Sequence, residues 1–247
     1  MKTIQAYIAD KQLGFSLHPL FARLQRNEAL RAVLPVVSNL SFWAMAFQDV
    51  LRLNESKVKD AQMKKIARHH RAEDSGHDKW FLSDVLKIEG SNPDVRALFS
   101  APHASTRDAT YALMSEVYRA NSDKERVLLL LALESTGHIF FEAIASYFER
   151  MGINHSLQYF ARHHIEVEKS HEVFEQQMNA YLETVELTEE ERASASALVD
   201  RVYEAFTAMF DNFERIIARE ADQEASAASY TFAERLMSHE AELRAAA

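Results

Sequence analysis

The chain contains no cysteine, which excludes disulfides, thiolate metal sites and a cysteine nucleophile. Glycine and proline are scarce too, 5 and 4 residues among 247, so the chain has few tight turns to offer. No stretch shows the apolar and polar alternation of a half-buried strand. Basic residues are outnumbered, 28 Lys and Arg against 37 Asp and Glu, for a formal net charge of −9. A nucleic-acid surface needs a basic stripe, so small molecules are the expected partners. No uninterrupted apolar run reaches the roughly 18 residues that span a bilayer, and the opening Met1-Lys2-Thr3-Ile4-Gln5 is too polar for a secretory leader. The expectation is a cytoplasmic protein with no membrane span and no nucleic-acid partner.

What is present is helical periodicity. Leu20, Phe21, Leu24, Leu30 and Val33 recur at helical spacing after Pro19, and Pro35 is expected to separate them from a core helix over Val36 to Leu53. Asn54-Glu55-Ser56 supplies a break and a cap, and one long amphipathic helix should then run from about Lys57 to Leu86. Further helices are predicted over Thr106 to Arg119, Lys124 to Arg150, Ser156 to Thr184 and Thr188 to about Arg219, leaving residues 221–247 as a tail or short helix. The sum is one all-α domain over 1–247 with about seven helices. A face carrying Phe206, Phe210 and Phe213 is a candidate for pairing two copies of the chain as a homodimer.

Two stretches share a pattern: His70-Arg71-Ala72-Glu73-Asp74-Ser75-Gly76-His77 and His164-Ile165-Glu166-Val167-Glu168-Lys169-Ser170-His171. In each, a carboxylate follows a histidine by four residues and precedes another by three, so on a helix all three share one face. Between them lies Val127 to Leu133, apolar all round, and Ile139-Phe140-Phe141, with Glu134 and His138 set into the run. A helix apolar on every side is buried, and a buried carboxylate needs a counter-charge, a proton or a metal. A bridging metal ligand fits Glu134 best.

The three segments offer Asp74, His77, Glu134, His164, Glu168 and His171, with His70, Glu73, His138 and Glu142 as further candidates for ligands or their supports. That is too many for one tetrahedral zinc and about right for two metals. Imidazole and carboxylate without thiolate suit iron or manganese, and open positions on iron suit dioxygen.

The pattern resembles the heme-oxygenase-like diiron oxidases, a superfamily of seven-helix bundles that includes thiaminase II and pyrroloquinoline-quinone synthase. The resemblance rests on Tyr159-Phe160-Ala161-Arg162-His163-His164 leading into Glu168 and His171, on Leu133-Glu134-Ser135-Thr136, on His70 through His77 followed by Trp80-Phe81-Leu82 and Asp84, and on the opening His18-Pro19-Leu20-Phe21. It covers about the first 185 residues. It implies two Fe(II) ions, with manganese as the alternative, held by Asp74 and His77, then Glu134, then His164, Glu168 and His171, and dioxygen as co-substrate. It implies oxidation of a small organic acid or amino-acid-like substrate. Position 70 is a histidine here where many members place the first carboxylate, so His70 or Glu73 can stand in for Asp74; Glu168 replaces the usual aspartate.

Other readings compete. A metal-free or cofactorless member of the same fold is one, although thiaminase chemistry implies a cysteine that is absent. A non-catalytic metal-binding protein, a dinuclear hydrolase and heme binding through His18 are others. His18, His103, His155 and His239 lack carboxylates at helical spacing and read as structural. Lys57, Lys59, Lys64, Lys65, Arg68 and Arg71 read as a solvated face, and Arg162 as an anchor for a substrate carboxylate.

Overall fold

The computed structural model describes the chain except residues 27, 154–155, 170–171 and 246–247, and describes the backbone alone at 167–169, 172–175 and 224–245. Helices make up the described chain, with no strand among the described residues. In order these are α1 (Lys2–Phe15), α2 (Pro19–Gln25), α3 (Leu30–Lys57), α4 (Ala61–Glu73), α5 (His77–Glu89), α6 (Val95–Leu98), α7 (Ala104–Arg119), α8 (Asp123–Arg150), α9 (Arg162–Lys169), α10 (Glu172–Thr184) and α11 (Glu189–Ala245), with a 3₁₀ turn at Ala101–His103. These segments exceed the seven expected because the predicted Lys57 to Leu86 helix is cut, α1 and α6 add to the predicted set, and the residues between α9 and α10 lie outside the described chain.

The core follows from apolar residues recurring every three or four positions on α11. Leu198, Val202, Phe206, Met209, Phe210, Phe213 and Ile217 are buried there and pack against α1, α2, α3, α7 and α8. Phe206, Phe210 and Phe213 are therefore core rather than a free face for a second copy. Helix α1, which the sequence pattern left unassigned, buries Ile4, Ile8 and Phe15 against α8 and α11.

Pro35 does not end a helix. It lies inside α3, where it removes one backbone hydrogen bond, and buried Ala32, Val33, Val36 and Val37 on either side of it offset that loss. Asn54 and Glu55 do not form a break either. Asn54 Nδ2 donates to the Arg126 carbonyl at 3.1 Å, and Glu55 accepts from Arg68 and Arg71. The cap belongs to Asp60, whose side chain accepts from the Gln62 and Met63 amides.

The long helix expected to carry the first histidine stretch is cut at Asp74-Ser75-Gly76. Three poor helix formers in succession weaken the run, and Gly76 takes φ +98°, which an L side chain rarely adopts. The helix expected from Ser156 begins only at Arg162. Its missing first turn is held open by Asp84, which takes the amides of Gln158 and Phe160 away from helical pairing.

Helices α3 and α8 are long and apolar enough to cross a membrane by length and composition, despite the short uninterrupted runs; half of each apolar window is buried within the bundle. Helix α8 is not buried on every side, however. Glu134 and His138 are exposed on one strip of it.

Gly76→Ala isolates the left-handed backbone requirement, because no atom lies within 4 Å of an added Cβ. The expected outcome is a loss of about 1 kcal/mol in urea-derived unfolding free energy, with helical content unchanged by circular dichroism.

Candidate metal centre

The cut between α4 and α5 brings the first histidine stretch together by a route other than one continuous helix face. Asp74 sits at the end of α4, where its amide still bonds the His70 carbonyl, and His77 opens α5. The Asp74 carboxylate reaches both histidines: Oδ2 is 3.2 Å from His70 Nε2 and Oδ1 is 3.1 Å from His77 Nδ1. Gln48 on α3 donates Nε2 to the Asp74 carbonyl at 2.7 Å and so pins the turn.

His164, in the first turn of α9, arrives from the other side, only 1% exposed. Its Nδ1 is 3.0 Å from the Tyr159 carbonyl and its Nε2 is 3.2 Å from His77 Nδ1. Aromatic rings enclose the pair: His77 stacks on Trp80 at 4.7 Å, and His164 meets Phe141 at 4.0 Å and Tyr159 at 5.1 Å.

Glu134 faces the same space from α8. It is 45% exposed and its Oε2 lies 3.7 Å from His70 Nδ1, so the prediction of a carboxylate stranded in a dry core is corrected. Position 134 has apolar sequence neighbours, but the strip it occupies opens onto a cavity. That cavity encloses about 840 Å³, its opening included, and is lined by Asp74, His77, Glu134 and His164 together with His70, Glu73 and His138. Trp43, Phe47, Leu133, Phe141 and Phe206 form its apolar wall. Glu73 also pairs with His69 at 2.7 Å. Glu142 lies off this lining. Glu168 is on α9, but its side chain lies outside the described residues, as does His171 altogether.

Arg162 does not line the cavity. Its guanidinium donates to Glu149 at 2.9 Å and to Ser146, so it does not serve as the predicted substrate anchor. His18 is structural: Nδ1 accepts from the Leu20 amide and Nε2 meets Asp211 at 3.1 Å, which leaves the heme reading without an available ring nitrogen there.

Two features fit a metal. The donors are imidazole and carboxylate only, as iron or manganese would take. His77 Nε2 is buried without a hydrogen-bond partner among the described residues, and a buried ring nitrogen is normally satisfied by a protein group, a water or a metal. Among the described residues, no three His, Asp or Glu side chains are grouped so as to hold one ion; Asp74, His77 and His164 hydrogen-bond one another instead. Burial pushes the Asp74 carboxyl up, but the His77 hydrogen bond and the charges on His70, His77 and His164 outweigh it and hold the group below the usual carboxylate range.

The aromatic content of the sequence, Phe42, Trp43, Phe47, Trp80, Phe81, Phe140, Phe141, Tyr159 and Phe160, reads as core packing with some rings lining a pocket, and Trp43, Phe47, Phe141 and Tyr159 do line it. Gln48 and the place of Phe206 on the wall have no motif and were missed. Asp84 has no assigned role in the sequence pattern, and the part played by the Tyr159 carbonyl is not legible there. Asp84 stood out in principle as a carboxylate beside Phe81 and Val85 on the apolar side of α5.

No protein-family model matches the chain, and no curated protein matches it in sequence. Among solved structures, it is similar to a domain of unknown function with a heme oxygenase-like fold from Shewanella denitrificans OS217. The two are 14% identical, with a TM-score of 0.55 over 91% of this chain and 94% of that one. The likeness establishes a heme oxygenase-like fold.

Asp74→Asn tests the carboxylate. An acid with a lowered folded pKa adds stability above its unfolded value, about 3.9, and that contribution is lost as pH falls through the lowered folded value. Wild type should exceed the variant by about 1–3 kcal/mol at pH 7, measured by urea unfolding, and the gap should shrink below about pH 4. A gap that does not change with pH would show that the histidines do not hold this carboxylate.

Proposed function

We propose that the chain is a non-heme diiron oxidase or oxygenase that uses dioxygen to oxidise a small organic acid or amino-acid-like substrate. The observation that carries this reading is the cluster of Asp74, His77 and His164, with its buried, unpartnered His77 Nε2, on the wall of a cavity that Glu134 also lines. Asp74, His77, Glu134 and His164 would hold the ions, with Glu168 and His171 completing the set and His70, Glu73 and His138 in support. Bound iron would supply the redox chemistry and the open positions that dioxygen needs.

The protein's own contribution follows from the geometry. The Tyr159 carbonyl accepts a hydrogen bond from His164 Nδ1–H, which in the neutral ring places the lone pair, the metal-ligating electrons, on Nε2. Asp74 orients His77 and His70, the carboxylate–histidine arrangement that fixes ring orientation and raises ligand basicity. Trp80, Phe141 and Tyr159 keep water from His77 and His164, and Trp43, Phe47 and Phe206 give the substrate an apolar wall. Glu134, on the open side, places negative charge where a cation enters.

A second reading, a cofactorless member of the fold, draws on the hydrogen bonds that already link Asp74, His77 and His164. In that case the trio would move protons without a metal, and turnover would survive a chelator.

Anaerobic titration with ferrous iron should give two ions per chain, with oxygen uptake on exposure to air. His77→Ala and His164→Ala should each lower that stoichiometry and abolish uptake. Less than one ion per chain, with no oxygen consumed, would sink the diiron reading.

A further inference from the structure

Asp84 is the one carboxylate among the described residues with no exposed surface, and it belongs to no ligand set. It lies on α5, two helical turns beyond His77. Its Oδ1 accepts from the Gln158 amide at 3.0 Å, and its Oδ2 from Gln158 at 2.9 Å and Phe160 at 3.1 Å. Lys87 Nζ is 3.6 Å away, at the surface. A carboxylate removed from water costs several kcal/mol unless hydrogen-bonded, so these amides are what permits it there. The loop in turn has its donors aimed at α5.

That orientation has an effect on the other side of the loop. With the amides of residues 158 and 160 committed to Asp84, the intervening Tyr159 carbonyl meets His164 Nδ1 at 3.0 Å. A carbonyl can only accept, so Nδ1 must carry the proton, and in the neutral ring Nε2 then carries the lone pair. Nε2 is the atom that faces His77 Nδ1. The rings of Phe81 against Tyr159 and Phe160, at 5.2 and 5.8 Å, lock the loop to α5.

We propose that Asp84 is a positioning residue that sets the tautomer of His164 through the backbone of residues 158–160. The inference deepens the proposed function and rests on it only for the use made of His164 Nε2; the tautomer needs no metal.

The test is long-range proton–nitrogen NMR of histidine-labelled protein in chelator, at a pH where the imidazoles are neutral, with His164 assigned by comparison with His164→Gln. Wild type should show His164 as a single Nδ1–H tautomer. Asp84→Asn keeps the size but puts an NH2 against an amide, and should let the Nε2–H form appear with at least a tenfold change in the ratio of tautomers. A wild-type His164 protonated at Nε2 would overturn the proposal, even if Asp84→Asn does not fold. So would a folded Asp84→Asn that keeps the single Nδ1–H form. Ferrous iron binding on the same samples separates the two ideas: a tautomer that responds to Asp84 in a chain that binds no iron supports the role of Asp84 and removes the diiron reading, and iron binding with an unresponsive tautomer does the reverse.

Discussion

Phe210 is the contact on which the rest of the bundle depends. Its ring lies 5.3 Å from Phe15 of α1, 5.7 Å from Phe21 of α2 and 5.3 Å from Phe140 of α8, with Phe206 and Phe213 above and below it on α11. Aromatic rings at such distances bury large areas with a defined geometry, so four helices are fixed in rotation about one residue. For α8 the rotation decides which side chains face the cavity. Phe140 is committed to this core, which turns the neighbouring Phe141 towards His164 and Tyr159 and leaves Glu134 and His138 on the strip that faces the cavity.

The site is assembled on that frame by interruptions of helices. The turn at residues 74–76 and the loop at 157–161 are both places where backbone donors or acceptors leave the helical ladder for a side chain. Gln48 takes the Asp74 carbonyl at the first, and Asp84 takes two amides at the second. Such side chain to backbone bonds compete directly with helix formation. Each interruption lies within a few residues of a histidine that lines the cavity, so the precision of the cluster is set by non-helical backbone anchored to helices α3 and α5.

This division explains what was legible in the sequence. The all-α class and the spans of α7 and α8 follow from apolar periodicity over long runs, which tertiary contacts reinforce. Asp74, His77, Glu134 and His164 were singled out by spacing and residue type, and one cavity receives all four. The interruptions were not legible, because the partner that opens the second one, Asp84, is 74 residues from Gln158 in the chain. The exposure of Glu134 was misjudged because hydropathy counts neighbours along the chain and is blind to a single open strip. Helix α1 escaped notice because only Ile4, Ile8 and Phe15 among its residues reach the core.

The unequal exposure of the cavity's charged and ring groups carries a consequence for traffic. The side chains of Glu134, Asp74 and His77 are 45%, 16% and 7% exposed, and His164 is buried. Whatever enters from solvent meets Glu134 and His138, both exposed, before Asp74, and the buried His77 and His164 rings last. A charge at the mouth is screened by water, whereas the same charge at depth sits in a medium that screens little, so each polar group counts for more the further in it lies.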